Sequence, residues 1–222
     1  MDNALVEKTK RIIESVSQLD SIKPYVLVGG TALSLQIGHR LSEDLDFMRW
    51  QSYKAEKMDI DISSIKKELL RKHTITSINI LEFNHIELFI DEGVKLSFYV
   101  PEKRGPVLKT VPYLNYLVLA DIDTIASLKM ETMMRRTVFR DYYDLYCILN
   151  GKQPEEVRAI ISNALKYSGH HLKSKNLIGM LIHSDRFKND SSFEQLAPKY
   201  TITAKEIETF MIEKVKNTWT SS

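Results

Sequence analysis

The sequence predicts an α/β protein in which a mixed β-sheet with flanking helices is followed by a helical C-terminal domain. Short β-branched and aromatic runs between turn residues are concentrated before Pro112, whereas apolar residues at helical spacing dominate after it. The chain has 222 residues, of which 43% are hydrophobic, and this is enough to bury a sizeable core. We therefore predict an α/β domain over residues 1–113 and a helical domain over residues 114–222.

The first half begins with a helix and continues mainly as strands. Helical spacing predicts a helix over 3–19, and an apolar run that stops at two glycines predicts a strand over 25–30. Thr31 is a suitable N-cap for a brief helix that Gly38 closes. The run "DLDFMRW" then predicts a strand and "ISSIKKELLRKH" a helix. An antiparallel meander is predicted from "TITSINILEF", "HIELFID" and "VKLSFYV", and "EKRGP" at 102–106 is a loop.

The second half carries few strand signals. Residues 121–151 predict two helices joined near Thr137, and the polar stretch 184–200 predicts a loop. Three further runs are predicted to be helical: "PEEVRAIISNALKYS", "SKNLIGMLIH" and "TAKEIETFMIEKVKNTW".

Composition narrows the class of protein. The formal net charge is only +2, with the excess of Lys and Arg lying after Gly151, so a basic nucleic-acid face is weakly indicated. No apolar run approaches the roughly 20 residues of a membrane helix, and the first ten residues lack the pattern of a secretory signal. Cys147 is the single cysteine, so no internal disulfide is expected. We expect a cytoplasmic protein without membrane association.

Two carboxylates, Asp44 and Asp46, stand one residue apart in a predicted strand. Residues i and i+2 of a strand share a face, so the pair projects together while Leu45 and Phe47 face the core. Adjacent carboxylates repel each other unless a proton or a cation neutralises them. Mg²⁺ takes oxygen ligands and often completes its shell with substrate phosphates. The pair therefore predicts a metal–phosphate site, with an ordinary pair of surface acids as the alternative.

The turn before this strand predicts an anion site. In "VLVGGT" a strand runs into Gly29 and Gly30 and then into a helix N-terminus at Thr31. Glycine allows backbone N–H groups to approach an anion, and the helix dipole favours negative charge there. A tight turn that uses glycine only for its positive φ is the alternative. The dinucleotide motif G-x-G-x-x-G and the P-loop ending G-K-[ST] are both missing from this stretch.

These motifs together carry a family resemblance. The run "GGTAL", followed by "GHRLSEDLDF", resembles the signature of the nucleotidyltransferase fold and is most similar to the AbiEii/AbiGii toxin family. The later stretch "IASLKMETMMRRTVFRDYYDLYCIL" is similar to that family's sequence of a Lys, an Arg, a basic–Asp pair and Asp-Leu. The similarity covers about residues 25–149. It implies a nucleotidyltransferase-fold mixed sheet in the toxin of a toxin–antitoxin or phage-defence system.

The resemblance also implies roles for individual residues. Asp44 and Asp46 would ligate Mg²⁺ or Mn²⁺ and form the catalytic set together with Lys129 and Asp141. The implied nucleotide-binding residues are Gly29, Gly30, Thr31, Arg40 and Lys129. Arg40 has a second interpretation, in which it orders the loop by pairing with an acid. Asp144, one turn after Asp141, would line the site or hold Arg140 or Lys129 in place.

One position departs from the family's pattern. The wider superfamily often places a third carboxylate on a neighbouring strand, where this chain offers Ser97. Serine does not act as a base at neutral pH without help. Three explanations stay open: Asp141 supplies the third acid, a metal ion alone activates the substrate hydroxyl, or the activity is changed. Glu82 and Glu87 on nearby strands are further candidates.

The implied activity is transfer of a nucleotidyl group from an NTP to an acceptor hydroxyl. The expected acceptor is RNA, with a tRNA 3′ end first, or a protein, and the expected partner is a cognate antitoxin. A metal-dependent phosphohydrolase with His39, Asp44 and Asp46 as ligands is an alternative, although the other histidines form no ligand motif. A catalytically degenerate module that binds a nucleotide or a partner is another, which the intact acid pair argues against and Ser97 leaves open.

Overall fold

A seven-stranded mixed sheet forms the centre of the first of two compact units, Met1–Asp121 and Ile122–Ser222. The computed structural model describes residues 4–50, 58–101, 109–168, 173–186, 190 and 192–220. The predicted loop at 102–106 lies outside these residues. In chain order the elements of the first unit are α1 (Glu7–Ser17), β1 (Val26–Val28), α2 (Gly29–Ile37), β2 (Leu45–Met48), α3 (Ile62–Leu69), β3 (Ile75–Glu82), β4 (His85–Ile90), β5 (Val94–Tyr99), β6 (Thr110–Leu114) and β7 (Leu117–Ala120).

The strand order is β3-β4-β5-β2-β1-β7-β6. Strand β2 runs parallel to β5, β1 runs parallel to β7, and the other neighbours are antiparallel. The predicted meander of β3, β4 and β5 is confirmed, and so is the mixed α/β fold class. The short strands β1 and β2 are therefore central in the sheet, with neighbours on both sides that restrict their movement.

The period-2 pattern of β2 separates a core face from a polar face. Leu45 and Phe47 are 0% and 1% exposed, and the Phe47 ring stacks on Phe98 with 5.0 Å between centroids. Asp46 alternates with these two residues and is only partly buried. Burial of two large side chains fixes the register of the strand, because a slip of one residue would place Asp46 in the core.

Helix α2 begins earlier than its sequence predicts. Its first residue is Gly29 and Val28 is the N-cap, so Thr31 is the third helical residue and the prediction of a Thr31 N-cap is wrong. The reason is the positive φ of Gly29, +70°, which lets the chain turn from strand to helix without a capping side chain. The predicted end of the helix is confirmed, since Gly38 adopts the left-handed conformation with φ +56°.

Two strands, β6 and β7, lie in a stretch for which the sequence predicts no strand. Strand β6 contains Pro112, which disfavours a strand prediction, but β6 is the edge strand, where a missing N–H is tolerated. Asn115 has φ +49° in the turn to β7, a conformation that asparagine adopts more readily than most residues. Strand β7 has only four residues and joins the sheet by pairing with β1, which is distant from it in sequence.

The second unit is helical, as predicted. Its helices are α4 (Ile122–Thr132), α5 (Phe139–Leu149), α6 (Pro154–Tyr167), α7 (Ser174–Leu181) and α8 (Ala204–Thr220). The stretch predicted as a polar loop includes two 3₁₀ turns, and within it Phe193 and Leu196 are 7% and 3% exposed. These two buried apolar side chains anchor the segment. The many polar residues around them are the reason that the sequence predicts a loop here. Among the described residues, no helix is both long and apolar enough to span a membrane.

Candidate active site

The Gly-Gly turn lies directly against the carboxylate of Asp46. Val28 pairs with Asp46 across the antiparallel strands β1 and β2, which brings the start of α2 beside this side chain. A Cβ atom built at Gly29 would lie 2.8 Å from Oδ2 of Asp46, closer than a real Cβ contact. Only glycine therefore satisfies both the positive φ and the close approach at this position. The N-terminus of α2 and the acid pair therefore belong to the same site on the first unit.

Arg40 lies against the second glycine of the turn. A Cβ atom at Gly30 would be 2.4 Å from Nη2 of Arg40 and 3.3 Å from Oγ of Ser42. Arg40 is 4% exposed, and its Nη1 donates to the carbonyl oxygen of Leu41 at 2.9 Å. The guanidinium therefore packs on the turn and orders the loop between α2 and β2.

The hydroxyl of Thr31 ties α2 to the segment that bears the acids. Thr31 is 1% exposed, donates to the carbonyl oxygen of Asp44, and lies 2.8 Å from the hydroxyl of Ser42. Ser42 is held in turn by backbone hydrogen bonds to Ala4 and Val6 at 2.9 and 3.1 Å. The backbone N–H of Thr31 is one of the first four N–H groups of α2 and therefore has no acceptor within the helix. This N–H, rather than the hydroxyl, is the group of Thr31 that is suited to binding an anion.

Lys95 on β5 supplies the positive charge next to the acid pair. Its Nζ lies 3.1 Å from Oδ2 of Asp44 and 3.8 Å from Oε1 of Glu87. Burial lowers the pKa of the Lys95 ammonium, but the charges of Asp46, Asp44 and Glu87 outweigh burial and raise this pKa above its ordinary value. Sequence reasoning missed Lys95, although its spacing of two from Ser97 on a predicted strand was a usable signal for a shared face.

The position expected for a third acid holds Ser97, directly opposite Asp46 across β2 and β5. The hydroxyl of Ser97 lies 3.2 Å from Nε2 of His85, and Glu87 is its partner across β4 and β5. Register therefore places Asp46, Ser97 and Glu87 in one row across three strands. Glu87, rather than Glu82, is the spare carboxylate that lies on this row.

The remaining candidate residues cluster in the second unit. Nζ of Lys129 lies 2.9 Å from Oδ1 of Asp141 and 2.6 Å from Oδ2 of Asp144. Arg136 binds both oxygens of Asp141, with Nε at 2.8 Å and Nη2 at 3.1 Å. The three clustered residues Lys129, Asp141 and Asp144 are 6%, 1% and 0% exposed. Arg140, by contrast, pairs with Asp190 at 2.7 Å.

Two cations keep Asp141 ionised in its buried position. Burial raises the pKa of this carboxyl, but the charges and hydrogen bonds of Lys129 and Arg136 more than compensate, so the pKa is lowered. The candidate residues thus form two groups, one in each unit. Gly29, Gly30, Thr31, Arg40, Asp44 and Asp46 belong to the first unit, and Lys129 and Asp141 belong to the second.

The donor set of the first unit fits a hard divalent cation. Asp44 and Asp46 are partly buried carboxylates whose charges both act on the Lys95 ammonium, which lies 3.1 Å from Oδ2 of Asp44. Within the described ranges, no cluster of three or more His, Cys, Asp and Glu side chains is arranged to hold a metal ion. Two protein carboxylates are nevertheless a sufficient protein contribution for Mg²⁺ when substrate phosphates and water complete its shell.

Gly29→Ala is expected to damage the site, whereas Gly38→Ala affects only stability. Both glycines have positive φ, so each substitution costs about 1–2 kcal/mol of unfolding free energy from backbone strain. A Cβ at Gly38 meets nothing within 4 Å, whereas one at Gly29 collides with Asp46. Urea unfolding should therefore show a larger loss for Gly29→Ala, and divalent-ion binding should fall only in that variant. Equal binding by both variants would contradict the close approach.

Comparisons with known proteins identify the family of the chain. The sequence model described as nucleotidyl transferase AbiEii toxin, type IV toxin–antitoxin system, matches residues 11–219. An uncharacterized protein of Aquifex aeolicus (strain VF5) is 24% identical over 216 residues, which is 96% of each chain. The protein therefore belongs to the AbiEii nucleotidyltransferase toxin family.

Solved structures show the same fold. A Helicobacter pylori protein classed as a nucleotidyltransferase has a TM-score of 0.59 at 18% identity, covering 98% of this chain and 99% of its own. MenT4, a nucleotidyltransferase toxin of Mycobacterium tuberculosis H37Rv, has a TM-score of 0.54 at 15% identity, covering 92% of this chain and 84% of its own. These likenesses confirm the predicted fold class.

Proposed function

We propose that the protein transfers a nucleoside monophosphate from an NTP to an acceptor hydroxyl and acts as the toxin of a toxin–antitoxin pair. The observation that carries this proposal is the contact between the Gly29 turn and the Asp46 carboxylate, since it joins an anion-binding helix terminus to a cation-binding acid. The family of the chain makes an antitoxin the expected partner.

In this proposal the first unit binds the triphosphate. The N-terminal N–H groups of α2, from Gly29 to Thr31, bind the β- and γ-phosphates, and Arg40 holds the turn in shape. Asp44 and Asp46 hold Mg²⁺ or Mn²⁺. When bound, the ion supplies positive charge to the phosphates and lowers the pKa of the attacking hydroxyl.

The reaction is an in-line displacement at the α-phosphorus. The acceptor oxygen forms a bond to this phosphorus, the bond to the β-phosphate oxygen breaks, and pyrophosphate leaves. The hydroxyl proton passes to solvent or to a carboxylate of the site. Such a reaction depends mainly on positioning and neutralisation of charge. A serine at position 97 is therefore compatible with activity.

An RNA acceptor is favoured over a protein by charge. The first 150 residues are nearly neutral, whereas Lys and Arg outnumber Asp and Glu after Gly151. The phosphate backbone of RNA is attracted, at moderate salt, to a surface on which positive charge is in excess. The single cysteine and the need for NTP are consistent with action in the cytoplasm.

The proposal is tested with each of the four NTPs, labelled in turn on the α- and the γ-phosphate, in the presence of Mg²⁺ or Mn²⁺. Total tRNA and a deproteinised RNA pool serve as acceptors, and an RNase-treated cell extract supplies protein acceptors. We expect α-label to appear on RNA and γ-label to leave with pyrophosphate. The Glu43→Gln variant, changed one residue before the acid pair, is the matched control and should behave as the parent chain does.

Other outcomes separate the alternatives. Label on protein alone would show that the acceptor is a protein rather than RNA. Release of inorganic phosphate without transfer would favour a phosphohydrolase and contradict the proposal. Nucleotide binding without turnover on any acceptor would support a degenerate binding module.

A further inference from the structure

Lys95 is enclosed by carboxylates on the polar face of the sheet. Its Nζ is 3.1 Å from Oδ2 of Asp44 and 3.8 Å from Oε1 of Glu87, and the Lys95 and Glu87 side chains are only 27% and 18% exposed. Asp46 acts on the same ammonium through its charge. The ammonium is therefore a counter-cation of the acid pair.

This position conflicts with a divalent ion on Asp44. An ammonium within hydrogen-bond distance of Oδ2 and a doubly charged ion bound to the same carboxylate would lie a few ångströms apart. The partial shielding of the site from water strengthens their repulsion. Coordination of the ion by Oδ2 of Asp44 therefore requires the ammonium of Lys95 to withdraw, and Glu87, already within 3.8 Å, is the carboxylate that can retain it.

We propose that Lys95 is an internal competitor for the metal position: its ammonium neutralises the acid pair and must leave Oδ2 of Asp44 before a divalent ion binds that oxygen. This inference rests on the metal role in the proposed function. It makes Lys95 a positioning residue that sets metal affinity and reduces the repulsion between the two acids.

The test measures Mn²⁺ binding in the absence of nucleotide and acceptor, from the electron paramagnetic resonance signal of free Mn²⁺. Lys95→Met keeps much of the side-chain volume but removes the charge, and we expect its dissociation constant to fall about tenfold. Lys95→Arg keeps the charge and should remain within about threefold of the parent. Lys8→Met removes a lysine of the same unit that pairs with Glu43 at 3.9 Å, and it should leave binding unchanged.

Each outcome bears on the inference. Unchanged or weaker binding by Lys95→Met, while the parent chain binds Mn²⁺, would overturn the competition and leave the proposed function intact. Tighter binding by Lys95→Met and Lys8→Met alike would also overturn it, because the effect would then be one of net charge. If neither the parent nor Lys95→Met binds Mn²⁺, both the inference and the metal role fail. Loss of nucleotidyl transfer alone does not affect this measurement.

Discussion

Asp46→Asn is expected to abolish nucleotidyl transfer while the protein stays folded. The amide has the shape of the carboxylate, so the close approach to Gly29 is preserved, but the charge that we propose neutralises a divalent ion is lost. Removing one group that stabilises charge at a reaction centre commonly lowers the rate by about 10²–10³-fold. A metal ligand should reach at least the upper value, because the triphosphate then loses its cation as well.

The free energy of unfolding should change much less than the activity in the Asp46→Asn variant. Asp46 is partly exposed on the polar face of β2, and substitutions at such positions usually change the free energy of unfolding by about 0.5 kcal/mol or less. Pyrophosphate release with a saturating acceptor measures the activity, and urea unfolding measures the stability. Glu43→Gln provides the matched loss of a carboxylate three residues away. A variant Asp46→Asn that keeps more than a tenth of the parent's activity would contradict the ligand role.

Local chemistry explains what the sequence could predict. Gly29, Gly30 and the D-x-D motif are defined by neighbours within 20 residues, and the strand alternation of Leu45 and Phe47 decides which face bears the acids. The meander β3–β4–β5 is equally local, because each strand pairs with the next. The alternation in β2 and the meander are predicted correctly, since period and turn residues are sufficient to specify them.

Long-range pairing explains what the sequence could not predict. Strand β7 joins the sheet beside β1 through residues about 90 positions apart, as in Leu27 and Leu119, and no local pattern reports such a pairing. The contact of Lys95 with Asp44 likewise depends on the parallel pairing of β2 with β5. Thr31 is predicted to bind nucleotide from its place in a motif, and this stays a prediction. The contact of its hydroxyl with the carbonyl oxygen of Asp44 is one that the motif does not report.

Lys129→Met is expected to destabilise the helical unit by about 3–5 kcal/mol, the usual cost of leaving buried charges without their partner. The substitution removes the ammonium that lies 2.9 Å from Asp141 and 2.6 Å from Asp144, and both carboxylates are buried. Arg136 continues to neutralise Asp141, so the larger part of the loss is expected at Asp144. Far-ultraviolet circular dichroism follows this unfolding, because the helices of the second unit supply most of the helical signal.

The same cluster predicts a dependence of stability on pH. The pKa of Asp141 is lowered in the folded state, so its ionisation stabilises the fold above the ordinary pKa of about 3.9 and this stability is lost as the pH falls through the folded value. The difference in unfolding free energy between the parent and Asp141→Asn should therefore be constant near neutral pH and narrow below about pH 4. A difference that stays constant down to pH 3 would contradict the lowered pKa.

Lys129 is the residue at which stability and activity must be measured together. The family resemblance assigns it to the triphosphate, while the structure shows its ammonium between two buried acids. Lys129→Met with normal unfolding and lost transfer would mean that the lysine serves the nucleotide and that the acids tolerate its absence. Asp144→Asn separates the two roles further, because it loosens the lysine without removing its charge. We expect both variants to lower the unfolding midpoint. Lys129→Met should lower it further, since two buried carboxylates then lose their cation, whereas Asp144→Asn removes one buried charge and keeps the ammonium beside Asp141.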